Sequence, residues 1–149
     1  MWGTGRAATR STTAMRFVDT NVLLYAVSTA PDEKDKKTRA LAILDDSDLA
    51  LSIQVLQEFY VQSTRPTRPQ RLAHAEAVAL IESWLRFRTE ELTTTLLRNA
   101  LATKERWQLS FWDAAIVEAA RAAGCPVLLT EDLQHGMDFA GVVVENPFA

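Results

Sequence analysis

The chain has one cysteine, two histidines and five glycines in 149 residues, and each scarcity excludes something. A lone Cys125 rules out an internal disulfide framework and fits a reducing, cytoplasmic setting. His74 and His135 cannot assemble a zinc-ligand spacing with so few partners. Beyond the N-terminal stretch only Gly124, Gly136 and Gly141 occur, and none forms a phosphate-cradling loop. Long apolar runs, repeats and low-complexity tracts are missing, so no membrane association is expected. Charge of one sign is missing too: sixteen Lys+Arg face nineteen Asp+Glu, a formal net charge of -3 that announces no nucleic-acid partner. What remains, 48% hydrophobic and 23% charged, is the composition of an ordinary globular protein. Such a length buries roughly 68–70% of the unfolded chain's surface, enough for a core without staples.

Residues 1–14 differ from the rest, being rich in small residues and carrying Arg6 and Arg10 without an acid. No apolar core follows that charge, so they do not read as a secretory signal. A disordered tail or an extension from an upstream start is expected there, with Met15 as the alternative start and Trp2 without a role. Residues 15–149 read as one domain.

From Arg16 onward strand and helix signals alternate. RFVDT reads as a short buried strand, and NVLLYAVS as a helix stopped near Pro31. Asp32 is placed to cap the next helix. DLALS follows as a strand, then a Ser52-capped helix ending before Pro66, the basic loop RPTRPQR, and a long helix over 72–87. RTEELT reads as a short strand, followed by helices over 94–107 and 111–124, the second terminated by Gly124. PVLLT and GVVVENP complete four to five short strands, so an α/β sandwich with a mostly parallel sheet is expected.

Four acids interrupt apolar sequence where a solvated charge is out of place. Asp19 ends FVD, Glu58 lies inside VLQEFYV, Asp113 inside FWDAAIV, and Asp132 follows VLLT. On a helix Asp113 shares its face with Ile116, Val117 and Ala120, which turns it towards a core-facing side. Asp19 and Asp132 fall at the carboxyl ends of strands, where open α/β sheets bind ligands. Taken singly, Asp132 could cap a short helix and Asp113 a helix beginning after it. Taken together, partly buried carboxylates repel one another and persist when a cation neutralises them. Oxygen ligands without His or Cys select Mg²⁺ or Mn²⁺, and such ions work on phosphates, which makes phosphodiester hydrolysis the natural reaction class.

The segments MRFVDTNVLLYA, SIQVLQEFYVQSTR, LSFWDAAIVEAARAAGCPVLLTEDL and GVVVENP resemble a PIN domain, in particular a VapC-type toxin of a bacterial toxin–antitoxin pair, over residues 15–149. The resemblance implies a three-layer α/β sandwich. It matches the first-strand aspartate to Asp19, with Thr20 and Asn21 shaping the turn, and the helix glutamate to Glu58 after Gln54-Val55-Leu56-Gln57. Asp113, with Ser110 before it, and Asp132, after Thr130, are the third and fourth acids. These four imply a Mg²⁺- or Mn²⁺-dependent endoribonuclease in which the aspartates bind metal and Glu58 binds through water or serves as base. Further implications are an RNA substrate, a cognate VapB-like antitoxin laid across the acidic pocket, and a homodimer.

Arg65, Arg68 and Arg71 form a basic stretch that is expected to flank the RNA path, with Arg86 and Arg88 beyond the next helix. A solvated loop is the plainer alternative. Trp84, Trp107 and Trp112 read as core or interface aromatics, Cys125 as a core residue and His135 as a surface histidine. Competing functions fare less well. A phosphatase with an aspartyl nucleophile needs an acid where Asn21 stands, and a receiver-like domain needs an acid pair after its first strand. An RNA-processing nuclease without a toxin role, or a non-catalytic RNA-binding module, remains open on sequence.

Overall fold

The computed structural model describes residues 14–149. Apart from Ala14, the segment expected to form an extension, Trp2 included, lies outside the described residues.

Five strands, β1 (Arg16–Val18), β2 (Leu49–Ser52), β3 (Arg88–Glu90), β4 (Val127–Leu129) and β5 (Val143–Glu145), form one all-parallel sheet in the order β3-β2-β1-β4-β5. Six α-helices join them: α1 (Thr20–Ala26), α2 (Lys34–Leu44), α3 (Ile53–Ser63), α4 (His74–Trp84), α5 (Thr94–Trp107) and α6 (Phe111–Ala122). Right-handed crossovers account for the layers. The chain steps from β1 to β2 to β3 in one direction, which assigns α1 to α4 to one face. It then returns past β1 to β4, which assigns α5 and α6 to the other. That is the α/β sandwich anticipated from the alternation of elements. Connections leave the adjacent strands β1 and β4 in different directions, and such a switch point opens a crevice at the strands' carboxyl ends.

Short strands suffice at the centre of the sheet because β1, β2 and β4 are buried on both faces, as parallel sheets require: Phe17, Leu49, Ala50, Leu51, Leu128 and Leu129 are nearly or wholly inaccessible. Phe59 and Trp84 meet edge to face with centroids 4.7 Å apart, tying α3 to α4. Trp107 meets Phe139 in the same way at 5.3 Å. Cys125 is a buried core residue whose thiol is pushed up to about 11, chiefly by burial.

Caps define the helix starts. Ser52 Oγ accepts from Val55 N–H (3.2 Å), Thr93 Oγ1 from Leu96 N–H (3.0 Å) and Ser110 Oγ from Asp113 N–H (3.1 Å). Helix α6 ends where Gly124, at φ +73°, lets the Cys125 N–H reach back to Ala120 O (2.9 Å). Two expectations are corrected. Asp32 caps nothing: Pro31 opens a 3-10 turn over Pro31–Glu33, so Asp32 lies inside that turn and α2 begins after Glu33. The helix expected over 72–87 covers only His74–Trp84. At its start Ala73 has no side-chain acceptor, and Glu76 instead accepts from the Ala73 N–H (2.9 Å); at its end the Phe87 N–H turns to Trp84 O (3.0 Å) to enter β3.

Candidate active site

The crevice between β1 and β4 holds a cavity of about 400 Å³ lined by Asp19, Glu58, Asp113 and Asp132. Four segments far apart in sequence therefore deliver the four singled-out acids to one place.

Asp19 comes off β1 and caps α1. Its backbone N–H bonds to Leu129 O of β4 (3.1 Å), so the pairing of Val18 with Leu129 sets Asp19 beside Thr130. Only 6% exposed, its carboxylate accepts from Thr20 N–H (2.7 Å) through Oδ1 and from Thr130 Oγ1 (2.9 Å) through Oδ2. Burial pushes this carboxyl up from 3.8 to about 7. The two hydrogen bonds pull the other way, and the charges of Asp132 and Glu58 add to the rise.

Thr130, fully buried, is the hub of the polar network. Its hydroxyl donates to Asp19 and accepts from Asn21 Nδ2 (3.0 Å) and from the Asp132 N–H (3.0 Å). Asn21 Nδ2 also donates to Asp132 Oδ2 (3.2 Å). Asp132 is thus held by a loop backbone and an amide, and it caps no helix. Its carboxyl is raised by burial, lowered by Asn21, and raised again by Glu131 and Asp113. Glu58, midway along α3, accepts from Thr20 Oγ1 (2.9 Å).

Asp113 lies in the first turn of α6. It does not cap that helix, because Ser110 does. The expected face is correct for Ile116, Val117 and Ala120, all buried, but Asp113 itself is partly exposed. It overhangs the cavity at the helix start instead of entering the core.

Several cavity residues escaped the sequence reading. Glu131 accepts from Tyr25 OH (2.5 Å) and from Lys36 Nζ (3.3 Å), and Glu33 accepts from Ser28 Oγ (2.6 Å). Burial and the Glu131 bond raise the Tyr25 hydroxyl, while bonds to Tyr25 and Glu131 raise Lys36. Glu131 and Tyr25 carried no distinguishing local signal; their roles follow from β4 and α1 lying side by side. Trp112, expected in a core or interface, is 62% exposed at the mouth of the cavity. His135 is an exposed residue whose Nδ1 accepts from Asn146 N–H (3.0 Å).

The arginines divide. Arg68 lines the acidic cavity, Arg65 a neighbouring groove, and Arg71 Nε is committed to Thr64 O (3.0 Å). Arg86 bonds the carbonyls of Ser83 and Leu44, and Arg88 pairs with Glu90, so neither faces the cavity.

The donor set suits a hard cation. Four carboxylates and the buried, unpartnered Asn21 Oδ1 are all oxygen donors, with no sulfur or imidazole among the lining residues. A carboxyl forced up to about 7 by burial and like charge is one that a nearby cation would relieve. As placed, the carboxylates are drawn to protein donors, and among the described residues no three His, Cys, Asp or Glu side chains stand close enough to hold one ion. Among the described residues no helix is long and apolar enough to cross a membrane.

The family model described as PIN domain matches residues 16–136. No curated protein sequence matches the chain. Among solved structures, a toxin-antitoxin complex from Klebsiella pneumoniae superposes with a TM-score of 0.62 at 20% identity, covering 89% of this chain and 98% of that one. VapC20 of Mycobacterium tuberculosis, described as a sarcin-ricin loop cleaving toxin, has a TM-score of 0.60 at 24% identity over 76% of this chain and 86% of its own. DNA-bound VapBC from Salmonella typhimurium has a TM-score of 0.64 at 18% identity, with coverages of 91% and 99%. At these identities the likeness is one of fold.

Proposed function

The chain belongs to the PIN-domain family, and from that premise we propose that it is a divalent-metal-dependent endoribonuclease acting as the toxin of a type II toxin–antitoxin pair. The observation that carries the reading is the convergence of Asp19, Glu58, Asp113 and Asp132 on one cavity at the sheet's switch point. Similarity in fold to a toxin-antitoxin complex, to VapBC, and to a protein described as a sarcin-ricin loop cleaving toxin supports the toxin role.

In this reading Asp19, Asp113 and Asp132 would hold Mg²⁺ or Mn²⁺ once their side chains close up from the spacing seen without it, with Glu58 binding through water or acting as base. A divalent cation held there would supply positive charge for the phosphodiester oxygens and would lower the pKa of water enough for it to act as nucleophile. The chain's own groups do the rest. Hydrogen bonds from Thr130 to Asp19 and from Asn21 to Asp132 restrict how these two carboxylates are oriented. Thr20 orients Glu58 for either role, and in the base role Glu58 takes the proton of the attacking water. Exposed Leu92, Leu97 and Leu101 offer apolar surface of the kind protein partners cover, in keeping with an antitoxin and a second copy of the chain. Residues 15–149 serve as one catalytic domain in a cytoplasmic protein.

The test compares wild type with Asp19→Asn and Asp113→Asn on structured RNA, with and without EDTA. Cleavage by wild type alone, abolished by EDTA, is expected. Equal cleavage in every lane would mean a contaminating nuclease and remove the assignment. Growth arrest on expression, relieved by the product of a short neighbouring gene, tests the toxin role separately.

A further inference from the structure

Six carboxylates line the cavity, from Asp19, Glu33, Glu58, Asp113, Glu131 and Asp132, and among the described residues Arg68 is the only cationic side chain lining it. A guanidinium in such company would ordinarily be spent on an ion pair. Among the described residues Arg68 makes none, and its Nε is buried without a hydrogen-bond partner.

The loop that carries it explains why it stays apart. Pro66 and Pro69 flank Arg68, each locking φ. The Arg68 N–H closes a turn onto Arg65 O (3.0 Å), and the Leu72 N–H bonds Ser63 O (2.8 Å), which shuts the loop's base. Across the cavity mouth Gln70 Oε1 accepts from the Thr29 N–H and from Thr29 Oγ1 (3.1 Å). Arg68 therefore lines the acidic cavity from a loop anchored at both ends and at Thr29. A guanidinium with a buried, unpartnered Nε and no ion pair is one whose donors the protein itself leaves unsatisfied.

We infer that Arg68 is a substrate-binding residue that grips a backbone phosphate of the RNA strand entering the acidic cavity. The inference rests on the nuclease reading and adds what that reading leaves unexplained, how a polyanion enters a pocket of carboxylates. A phosphate supplies acceptor oxygens that the planar guanidinium can hold side by side, a geometry that lysine cannot reproduce. A fixed cation in a cavity of acids selects the polyanion's position, because a phosphate is drawn to the one and repelled by the others. Arg65 and Arg71, exposed or committed to a carbonyl, lack this arrangement.

The test uses full-length Asp113→Asn as parent, so that RNA is bound and not cut. Its probe is a short fluorescein-labelled single-stranded RNA of mixed sequence, with anisotropy read across a KCl series in Mg²⁺. Adding Arg68→Ala is expected to weaken binding roughly tenfold at low salt, the loss of a charge-assisted contact. It should also make the slope of log K against log[KCl] shallower by about 0.7, one single-strand phosphate. Arg68→Lys should restore the slope but not the full affinity. Arg98→Ala, an equal loss of charge on an exposed part of α5, should match the parent. Circular dichroism melts of each variant check the fold. Parental affinity and slope in Arg68→Ala would overturn the inference, and tighter Mn²⁺ binding in that variant would then mark Arg68 as a counter-charge for the acids. A parent that binds no RNA, with a wild type that cuts none, would instead remove the nuclease reading and this inference with it.

Discussion

Replacing Asp19 by asparagine should abolish a pH dependence of stability that the wild-type protein shows without metal. A carboxyl raised from 3.8 to about 7 holds its proton more tightly in the folded state than in the unfolded chain. Between about pH 4 and pH 7 the folded form thus carries the extra proton, and stability falls as pH rises through that window. At about 1.4 kcal/mol per tenfold change in proton affinity, the contribution is about 4 kcal/mol, present below pH 3.8 and lost as pH passes about 7. The Asp19→Asn amide can still accept from Thr20 N–H. Its nitrogen, however, meets a Thr130 hydroxyl that already accepts from Asn21 and from the Asp132 N–H. That mismatch costs about 1–3 kcal/mol at every pH, because no titrating group is involved. The two effects separate in urea unfolding followed by far-UV circular dichroism, in EDTA, from about pH 4.5 to 8. Wild type should lose about 3 kcal/mol of this relative to the variant across this range, leaving Asp19→Asn the more stable protein at the alkaline end. Parallel profiles would refute the reasoning, since Asp19 would then titrate as a solvated carboxyl and need no cation to relieve it.

Other expectations follow from the same geometry. Saturating Mn²⁺ at about pH 8 should stabilise wild type by about 2.7 kcal/mol at a hundred times its Kd, with Asp19→Asn unresponsive; equal responses would place the ion elsewhere. Thr130→Val leaves the Asp132 N–H and Asn21 without their acceptor, so it should cost about 2–4 kcal/mol in urea unfolding and slow RNA cleavage, with Thr130→Ser near wild type. Ser110→Ala removes the α6 cap and should cost about 1 kcal/mol, read as a lowered Tm. Glu118→Ala should destabilise by about 1–3 kcal/mol by removing the acceptor of Thr103 and the ion pair with Arg121, yet leave Mn²⁺ binding unchanged, because Glu118 does not line the cavity.

Glu118 shows where local reading stops. It interrupts apolar sequence as Asp113 does, five residues earlier in the same helix. Only 5% exposed, it accepts from Thr103 Oγ1 (2.7 Å) and pairs with Arg121 (3.0 Å), whose guanidinium also donates to the carbonyls of Phe139 and Ala140. Glu118 is buried and satisfied by its own helix and the preceding one, Asp113 overhangs a cavity, and chain context does not separate them. Element boundaries were legible where a cap or a glycine is chemically committed, as at Ser52, Ser110 and Gly124. They blurred where Pro31 took over a start from Asp32, and where the helix expected from residue 72 lacked a capping side chain at Ala73. The basic loop was legible as charge, but which arginine faces the acids was decided by the Gln70–Thr29 tether.

By itself the sequence determined the order of strands and helices, helix boundaries such as those at Ser52 and Gly124, and the four acids set in apolar context. These are properties of residues within a few positions of one another, where propensity, periodicity and capping act. The tertiary structure decided what those acids become. Parallel pairing of β1 with β4 brings Asp19 against Thr130 and near Asp132, and α3 and α6 add Glu58 and Asp113. Only in that company does burial raise Asp19, does Thr130 become a hub, and does Arg68 face carboxylates it does not touch. Charge, desolvation and hydrogen bonding depend on distance in space, and the crossover topology, not proximity along the chain, sets those distances.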